Sequence, residues 1–218
     1  KDALKMEEPR TYFGIIIVSI ILITINVAPM FSGIGEAIKH SAFQVGSIIT
    51  TTGYSTVDFD LWPSFSKTVI VILMLCGSCA GSTGGGIKVS RIIILLKSIV
   101  KEIKIAAHPR STLKIKLNGR FVEHETIRAV NVYFASYMVI VFLSVLIISL
   151  DNFDFTTNFT AVISAISNIG PGLGKVGPVC NFSIYSPLST TVLIFDMLIG
   201  RLEIFPILVL FSTSSWKK

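Results

Sequence analysis

The sequence predicts an all-α integral membrane protein in which a helix, a re-entrant loop and a second helix occur twice in tandem. Three observations carry that prediction: two long spans without charge, two half-length apolar segments that each end in a glycine turn, and cations gathered into one connector. Composition agrees. Of the 218 residues, 51% are apolar and 15% charged, with a mean hydropathy of +0.74, whereas soluble domains carry about 25% charged residues. So much apolar surface cannot be wetted by so few charges, and the same arithmetic excludes a disordered chain. Three Cys make no disulfide framework.

In chain order, residues 11–31 hold no charge over 21 positions. At about 1.5 Å rise per residue a helix of that length crosses the ~30 Å hydrocarbon layer. Residues 37–50 are apolar but half as long, about 20 Å as a helix, so they can enter a bilayer and must turn back. They end in Thr51-Thr52-Gly53-Tyr54-Ser55. A second helix over 65–100 is broken near its middle, where residues 68–80 run into Gly81-Ser82-Thr83-Gly84-Gly85-Gly86. A basic connector, 101–128, follows. Residues 129–150 are again uncharged over 22 positions, 156–167 form the second half-length segment, and it ends in Asn168-Ile169-Gly170-Pro171-Gly172. The last span, 187–212, is long enough to cross but carries Asp196, Arg201 and Glu203. Two units result, 1–100 and 129–218.

Charge sets the orientation. Residues 88–128 hold ten Lys and Arg against Glu102, Glu123 and Glu125, which places that connector in the cytoplasm by the positive-inside bias. The two outward segments carry only Lys39 and Lys175 as cations beside Glu36, Asp58, Asp60, Asp151 and Asp154, and Lys217 and Lys218 return the C-terminus inside. The net charge of +6 is therefore a topology signal, and no nucleic-acid partner is expected. The first span is no secretory signal, because residues 1–10 are mixed in charge and no small-residue cleavage site follows. A chain that begins with Lys is expected to be the C-terminal part of something longer.

The two units align. Gly53 falls on Gly170 at an offset of 117, and Gly77-Ser78 falls on Gly200-Arg201 at an offset of 123. Non-helical backbone at membrane depth survives only where it lines water or is packed inside protein. A Thr-Thr-Gly-Tyr turn can aim successive carbonyls at one axis, where they replace the hydration shell of a monovalent cation. The half-helix in front points its partially negative end the same way. Two such units supply half of a four-sided ring.

These residues resemble a family. Thr51-Thr52-Gly53-Tyr54, the run from Gly77 to Arg91, His108-Pro109-Arg110, Asn168 to Gly174, and Gly200-Arg201-Leu202-Glu203-Ile204-Phe205-Pro206 together resemble the transmembrane subunit of Trk-type potassium uptake systems, within the Trk/Ktr/HKT superfamily. The match covers nearly the whole chain in order. The resemblance implies a four-repeat monomer, each repeat a helix–pore loop–helix (M1-P-M2), of which these are the third and fourth. It also implies a multi-pass protein of the bacterial inner membrane, potassium as the transported ion, no bound cofactor, a homodimer with one pore per protomer, and a cytoplasmic TrkA-like regulatory subunit that binds NAD or nucleotide. A Ktr-type sodium-dependent subunit is the alternative, and a helical scaffold without transport a more distant one.

On this reading the filter comprises Thr51, Thr52, Gly53 and Tyr54 with Asn168, Ile169, Gly170 and Pro171, their backbone oxygens being the ligands of K+. Arg201 lies about 20 Å into its helix, beneath the filter, as an electrostatic barrier or gate; the competing reading is a buried salt bridge with Glu203 or Asp196 that fastens helices. The glycine-rich break, Gly77 with Gly81, Ser82, Thr83, Gly84, Gly85 and Gly86, is a mobile gate loop, against the alternative of close helix packing through small residues. The basic connector serves topology, anionic lipid or a cytoplasmic subunit, and 111–123 alternate around Asn118-Gly119 as a hairpin expected to touch that subunit.

Other motifs fail. Gly81 to Lys88 is one residue out of step with a phosphate loop. Gly172-Leu173-Gly174-Lys175-Val176-Gly177 matches a dinucleotide pattern in letters only. Cys76-Gly77-Ser78-Cys79 has redox spacing inside an apolar helix, and the sequons at Asn158 and Asn181 need a eukaryotic secretory route. No catalytic constellation survives, and an intramembrane enzyme or carrier built on Asp196, Arg201 and Glu203 would need polar residues that the two uncharged spans do not offer.

Overall fold

The computed structural model describes residues 6–108, 113–202, 204 and 206. Seven helices and one small hairpin follow in order among them: α1 (Glu7–Val27), α2 (Ile34–Ile49), α3 (Ser64–Leu75), α4 (Val89–Ala107), β1 (Lys116–Leu117), β2 (Arg120–Phe121), α5 (His124–Ile148), α6 (Phe155–Ile166) and α7 (Pro187–Leu202). The architecture is mostly helical, with the antiparallel hairpin pairing Lys116 with Phe121 and Leu117 with Arg120 as its β exception.

Local chemistry sets the ends. Glu7 and Glu8 lie in the first turn of α1, where the helix dipole favours anions. Pro9 falls in the same turn, where no N–H is required of it. Helix α1 therefore begins before the first uncharged residue, and it ends where Pro29 enters a 3-10 turn at Ala28–Met30. Helix α5 likewise starts at His124, with Glu125 in its first turn. Asp154 caps α6, its side chain accepting the Thr157 N–H at 3.0 Å and the Thr157 hydroxyl at 2.6 Å. Those bonds, the hydroxyl's first, hold the Asp154 carboxyl below the usual carboxylate range. Helix α4 runs to Ala107, so the basic connector opens helically rather than as a loop. In the hairpin both Asn118 (φ 52°) and Gly119 (φ 77°) take positive φ, the pair that a two-residue turn of matched twist requires.

Two helices, Glu7–Met30 and His124–Asp151 with their 3-10 ends, are long and apolar enough to cross a membrane. Their outward faces carry large apolar residues, Ile17, Ile21 and Ile25 on α1 and Val139, Phe142 and Leu146 on α5, all exposed. A helix apolar on the side away from the core suits lipid rather than water. Helix α6 is the opposite case, buried at every residue from Thr157 to Ile166 except Phe159, which fixes it in the middle of the molecule.

Each half has its own core, and each core borrows from the other half. Ile23, Val45, Ile48, Ile70 and Leu73 of α1–α3 pack with Ile163, Ile169 and Leu173 from the second half. Tyr137, Val141, Val162, Ile166 and Leu193 of α5–α7 pack with Ile87 from the first. The two halves therefore meet across α3 and α6, which bring the ends of α2 and α6 together.

Candidate functional site

Helices α2 and α6 end in turns that match residue for residue at an offset of 117. Thr50 and Ser167 close the helices in the αR region. Thr51 (φ 57°) and Asn168 (φ 54°) are both left-handed, and Gly53 (φ 79°) and Gly170 (φ 116°) both have positive φ. Thr51 N–H donates to the Ile48 carbonyl at 3.0 Å, and Asn168 N–H donates to that of Ala165 at 3.0 Å; Thr52 N–H reaches Ser47 at 2.9 Å, and Ile169 N–H reaches Ser164 at 3.0 Å. Ser47 and Ser164 are themselves equivalent. The Ser47 hydroxyl donates to the Tyr54 carbonyl at 2.5 Å, and the Ser164 hydroxyl accepts the Gly170 N–H at 3.0 Å.

The left-handed Thr51 is informative. A β-branched residue with positive φ is a strained outlier, held only where its surroundings demand it. What demands it is the reversal of the chain after α2, which spends the N–H groups of Thr51, Thr52 and Gly53 on the helix end. The carbonyls are left over. Among the described residues no hydrogen bond is made to the backbone oxygens of Thr51, Thr52, Gly53, Asn168, Ile169 or Gly170.

The two turns touch. A side chain at Gly53 would collide with the Ile169 carbonyl oxygen and come within 3.2 Å of Pro171 Cδ. Gly53 is thus required twice, by its φ and by its neighbour. Beside the second turn a cavity of about 390 Å³ opens between Asn168, Gly170, Leu193, Ile194 and Met197. Tyr54 is 72% exposed and Ile169 is buried.

Next to both turns runs a strap, residues 76–88, where the helix stops at Leu75 and resumes at Val89. Its ends are laced together: Gly77 N–H donates to the Ile87 carbonyl at 2.8 Å and Ile87 N–H donates to Leu75 at 3.1 Å. Gly84 lies against Thr51 Oγ1, at 3.2 Å from where its side chain would begin, and Gly85 presses on the Ser167 carbonyl. The strap thus contacts one turn through Gly84 and the other through Gly85. Three of its successive carbonyls are held by cations. The Lys88 ammonium donates to Ser82 at 2.6 Å and Gly84 at 2.7 Å, and the Arg201 guanidinium donates to Thr83 at 2.5 Å.

Sequence reasoning singled out the strap and Arg201 but passed over Lys88, which is 8% exposed. The signal was a lysine directly after an apolar isoleucine, which sequence reasoning placed in the charge count, in the run from Gly77 to Arg91 and in a rejected phosphate-loop pattern but gave no role of its own. Asp196 accepts the Ser144 hydroxyl at 2.8 Å and so ties α7 to α5, while Arg201 reaches the strap. Glu203, the other partner considered for Arg201, lies outside the described residues, as do Pro109 and Arg110 of the His-Pro-Arg motif. Asn168 holds α7 through its side-chain amide, which donates to the Met197 carbonyl at 3.0 Å. Among the described residues no group of three His, Cys, Asp or Glu could hold a metal ion.

Comparison with known proteins bears on what such a site serves. A family model described as "TrkH: Cation transport protein" matches residues 13–218. The Trk system potassium uptake protein TrkH of Escherichia coli K12 is 35% identical over 213 residues, 97% of this chain and 44% of that protein. TrkG of the same organism is 33% identical over 178 residues, 82% of this chain and 36% of that one. The crystal structure of the potassium transporter TrkH from Vibrio parahaemolyticus matches with a TM-score of 0.88 at 32% identity, covering 98% of this chain and 46% of the other. The chain spans less than half the length of these relatives.

Proposed function

The chain belongs to the TrkH family of cation transport proteins, and from that premise we propose that it supplies the third and fourth of four helix–pore loop–helix repeats around a potassium pathway. In this reading α1 and α5 are the first helices of their repeats, α2 and α6 the pore helices, α3 to α4 a broken second helix and α7 an unbroken one. The family is one of transporters, so the site binds and passes its ligand without chemistry on it.

One observation carries the reading: the turns after α2 and α6 share their positive φ values and their first two backbone hydrogen bonds, abut each other at Gly53 and Ile169, and among the described residues leave the carbonyls of Thr51, Thr52, Gly53, Asn168, Ile169 and Gly170 without a hydrogen bond, that of Tyr54 being taken by the Ser47 hydroxyl. Unpaired carbonyls are costly in an apolar surround, and a dehydrated K+ offsets that cost while the carbonyls stand in for its water shell. Residues 51–54 and 168–171 are then half of a filter, and the C-terminal ends of the two pore helices add partial negative charge toward it. The remaining half-ring comes from two further repeats of the full-length protein, which cover the cavity beside Gly170.

The strap lies across the pathway as its gate. Lys88 and Arg201 neutralise its carbonyls and place two positive charges where a cation would leave the filter, so ions pass when the strap swings away. A cytoplasmic nucleotide-binding subunit sets that position, with the exposed second strand of the hairpin, Arg120 and Phe121, as its contact. The protein works as a homodimer in the bacterial inner membrane. In the full-length protein, Gly53→Ala is expected to lower K+ uptake by more than tenfold and to admit Na+, because the turn shifts off its axis. Potassium uptake into proteoliposomes, measured beside Na+ uptake, tests it: unchanged rate and selectivity would remove Gly53 from the filter. Deletion of residues 112–122 should release the regulatory subunit in a pull-down.

A further inference from the structure

One groove lies apart from the pathway. Helix α4 presents its inner face, Val89, Ile93 and Ile94, to the core, while Leu96, Ile99, Val100 and Ile103 on its outer side are exposed. The segment entering the hairpin runs over that outer side and leaves a cavity of about 420 Å³ with Val100, Leu113 and Ile115 as an apolar floor. That volume falls within the range of small-ligand clefts, roughly 300–1,000 Å³. The rim is cationic: Lys97, Lys101 and Lys104 lie along α4, and Lys114 and Lys116 lie along the segment that enters the hairpin.

The depth of the groove is fixed by its neighbours. Lys97 forms an ion pair with Glu7, in the first turn of α1, and donates to the Lys116 carbonyl at 2.7 Å. The Glu7 N–H donates to the Asn118 side chain at 2.6 Å. The groove is therefore level with the end of a membrane-crossing helix, where acyl chains give way to headgroups. Lys114 and Lys116 lean over the Phe121 ring, their ammonium groups 5.6 Å and 4.8 Å from its centroid, which keeps both charges at the mouth.

We propose that this groove binds one anionic phospholipid of the cytoplasmic leaflet, its phosphate and glycerol headgroup between the lysines of α4 and those of the segment that enters the hairpin, and the start of its acyl chains along Val100, Leu113 and Ile115. Charge complementarity selects the occupant: an apolar floor alone would accept any lipid, whereas a rim of five lysines, offset only by Glu7 beside Lys97 and Glu102 beside Lys101, discriminates in favour of a negative headgroup. A bound lipid clamps the connector to α4 from outside, and so restrains the segment that leads to the second repeat. The proposal rests on the membrane placement of α1 and not on the identity of the transported ion.

The test uses the full-length protein in detergent and native mass spectrometry with phosphatidylglycerol or phosphatidylcholine added. One phosphatidylglycerol per chain is expected to survive activation while phosphatidylcholine is lost. The triple variant Lys101→Gln, Lys104→Gln, Lys114→Gln is expected to bind phosphatidylglycerol about a hundredfold more weakly, at roughly fivefold per lysine, and the corresponding triple Arg variant to bind it normally. Equal retention of both lipids, or full retention by the Gln variant with an unchanged melting temperature, overturns the proposal. So does efficient disulfide cross-linking between copies through Val100→Cys, which would make a second chain the occupant. Potassium uptake by the same variants separates failure here from failure of the filter reading.

Discussion

The second helices of the two repeats start from the same place and end differently. Ser64 of α3 and Pro187 of α7 are equivalent, yet α3 stops at Leu75 whereas α7 continues through Gly200 and Arg201. Five glycines within residues 77–86 account for the break, since glycine forfeits the most backbone freedom in a helix and gains the least from it. The lesson is a division of labour: one half supplies a non-helical backbone, and the other supplies a continuous helix whose arginine reaches across to hold it.

The strongest way to break that contrast is to overfill both sides. Gly200→Val would drive a side chain into the Ile166 carbonyl from within α7. With nothing free to yield, the cost is expected at ~3 kcal/mol or more, and folded protein is lost in a size-exclusion assay. Gly85→Val meets the Ser167 carbonyl from a strap that can swing away, so a melting point lowered only slightly is expected, with raised basal K+ uptake. Equal destabilisation by the two would mean that the strap is as rigid as the helix.

Next come the two cations. Lys88→Met removes the charge-assisted hydrogen bonds to Ser82 and Gly84, and Arg201→Ala the one to Thr83, bonds of about 1.5–3 kcal/mol each where the group is charged. Both variants are expected to leak K+ without the regulatory subunit. Because they grip adjacent carbonyls, the double variant should leak less than the product of the singles, with a coupling of ~0.5–3 kcal/mol; strictly additive leak rates would give the cations separate duties.

A smaller effect separates the turns themselves. Thr51→Gly relieves a left-handed β-branched residue and is expected to stabilise by about 0.5–1 kcal/mol. Asn168→Gly relieves little, since Asn tolerates that conformation, and it forfeits the bond to Met197. Thermal melts of the two variants should move in opposite directions.

The smallest effect concerns Asp154, for which the first repeat has no counterpart at the α2 start, where Gly33 caps without a side chain. The Asp154 carboxyl is lowered by Thr157, so its contribution is present above about pH 4 and is lost as pH falls through the depressed folded value. The melting temperature of Asp154→Asn should converge with that of the parent protein in acid, and lie below it at pH 7.

Much of this was legible beforehand because membrane helices announce themselves by length and lack of charge. The boundaries of α1 and α5 were not, because Glu7 and Glu8 lie in the mixed-charge stretch before the first span and His124 in the connector, until the dipole at a helix start is weighed. The offset of 117 pairs Thr51 with Asn168 and Gly53 with Gly170, and all four have positive φ. It could not place Gly53 against Ile169, a contact between segments more than a hundred residues apart that depends on how α3 and α6 cross. Lys88 was illegible for a related reason: its bonds go to backbone oxygens, and backbone oxygens leave no mark on residue identity.

The fastening of Glu7 to Asn118 spans 111 residues. Ribosomes add about 5–20 residues per second, so α1 waits many seconds after its synthesis before the hairpin that anchors its first turn exists. During that interval the bond from Glu7 to Asn118 cannot form, and the first turn of α1 is without it. Maturation of this region is therefore a closing of a contact across the connector, and shortening the connector would be felt first in biogenesis.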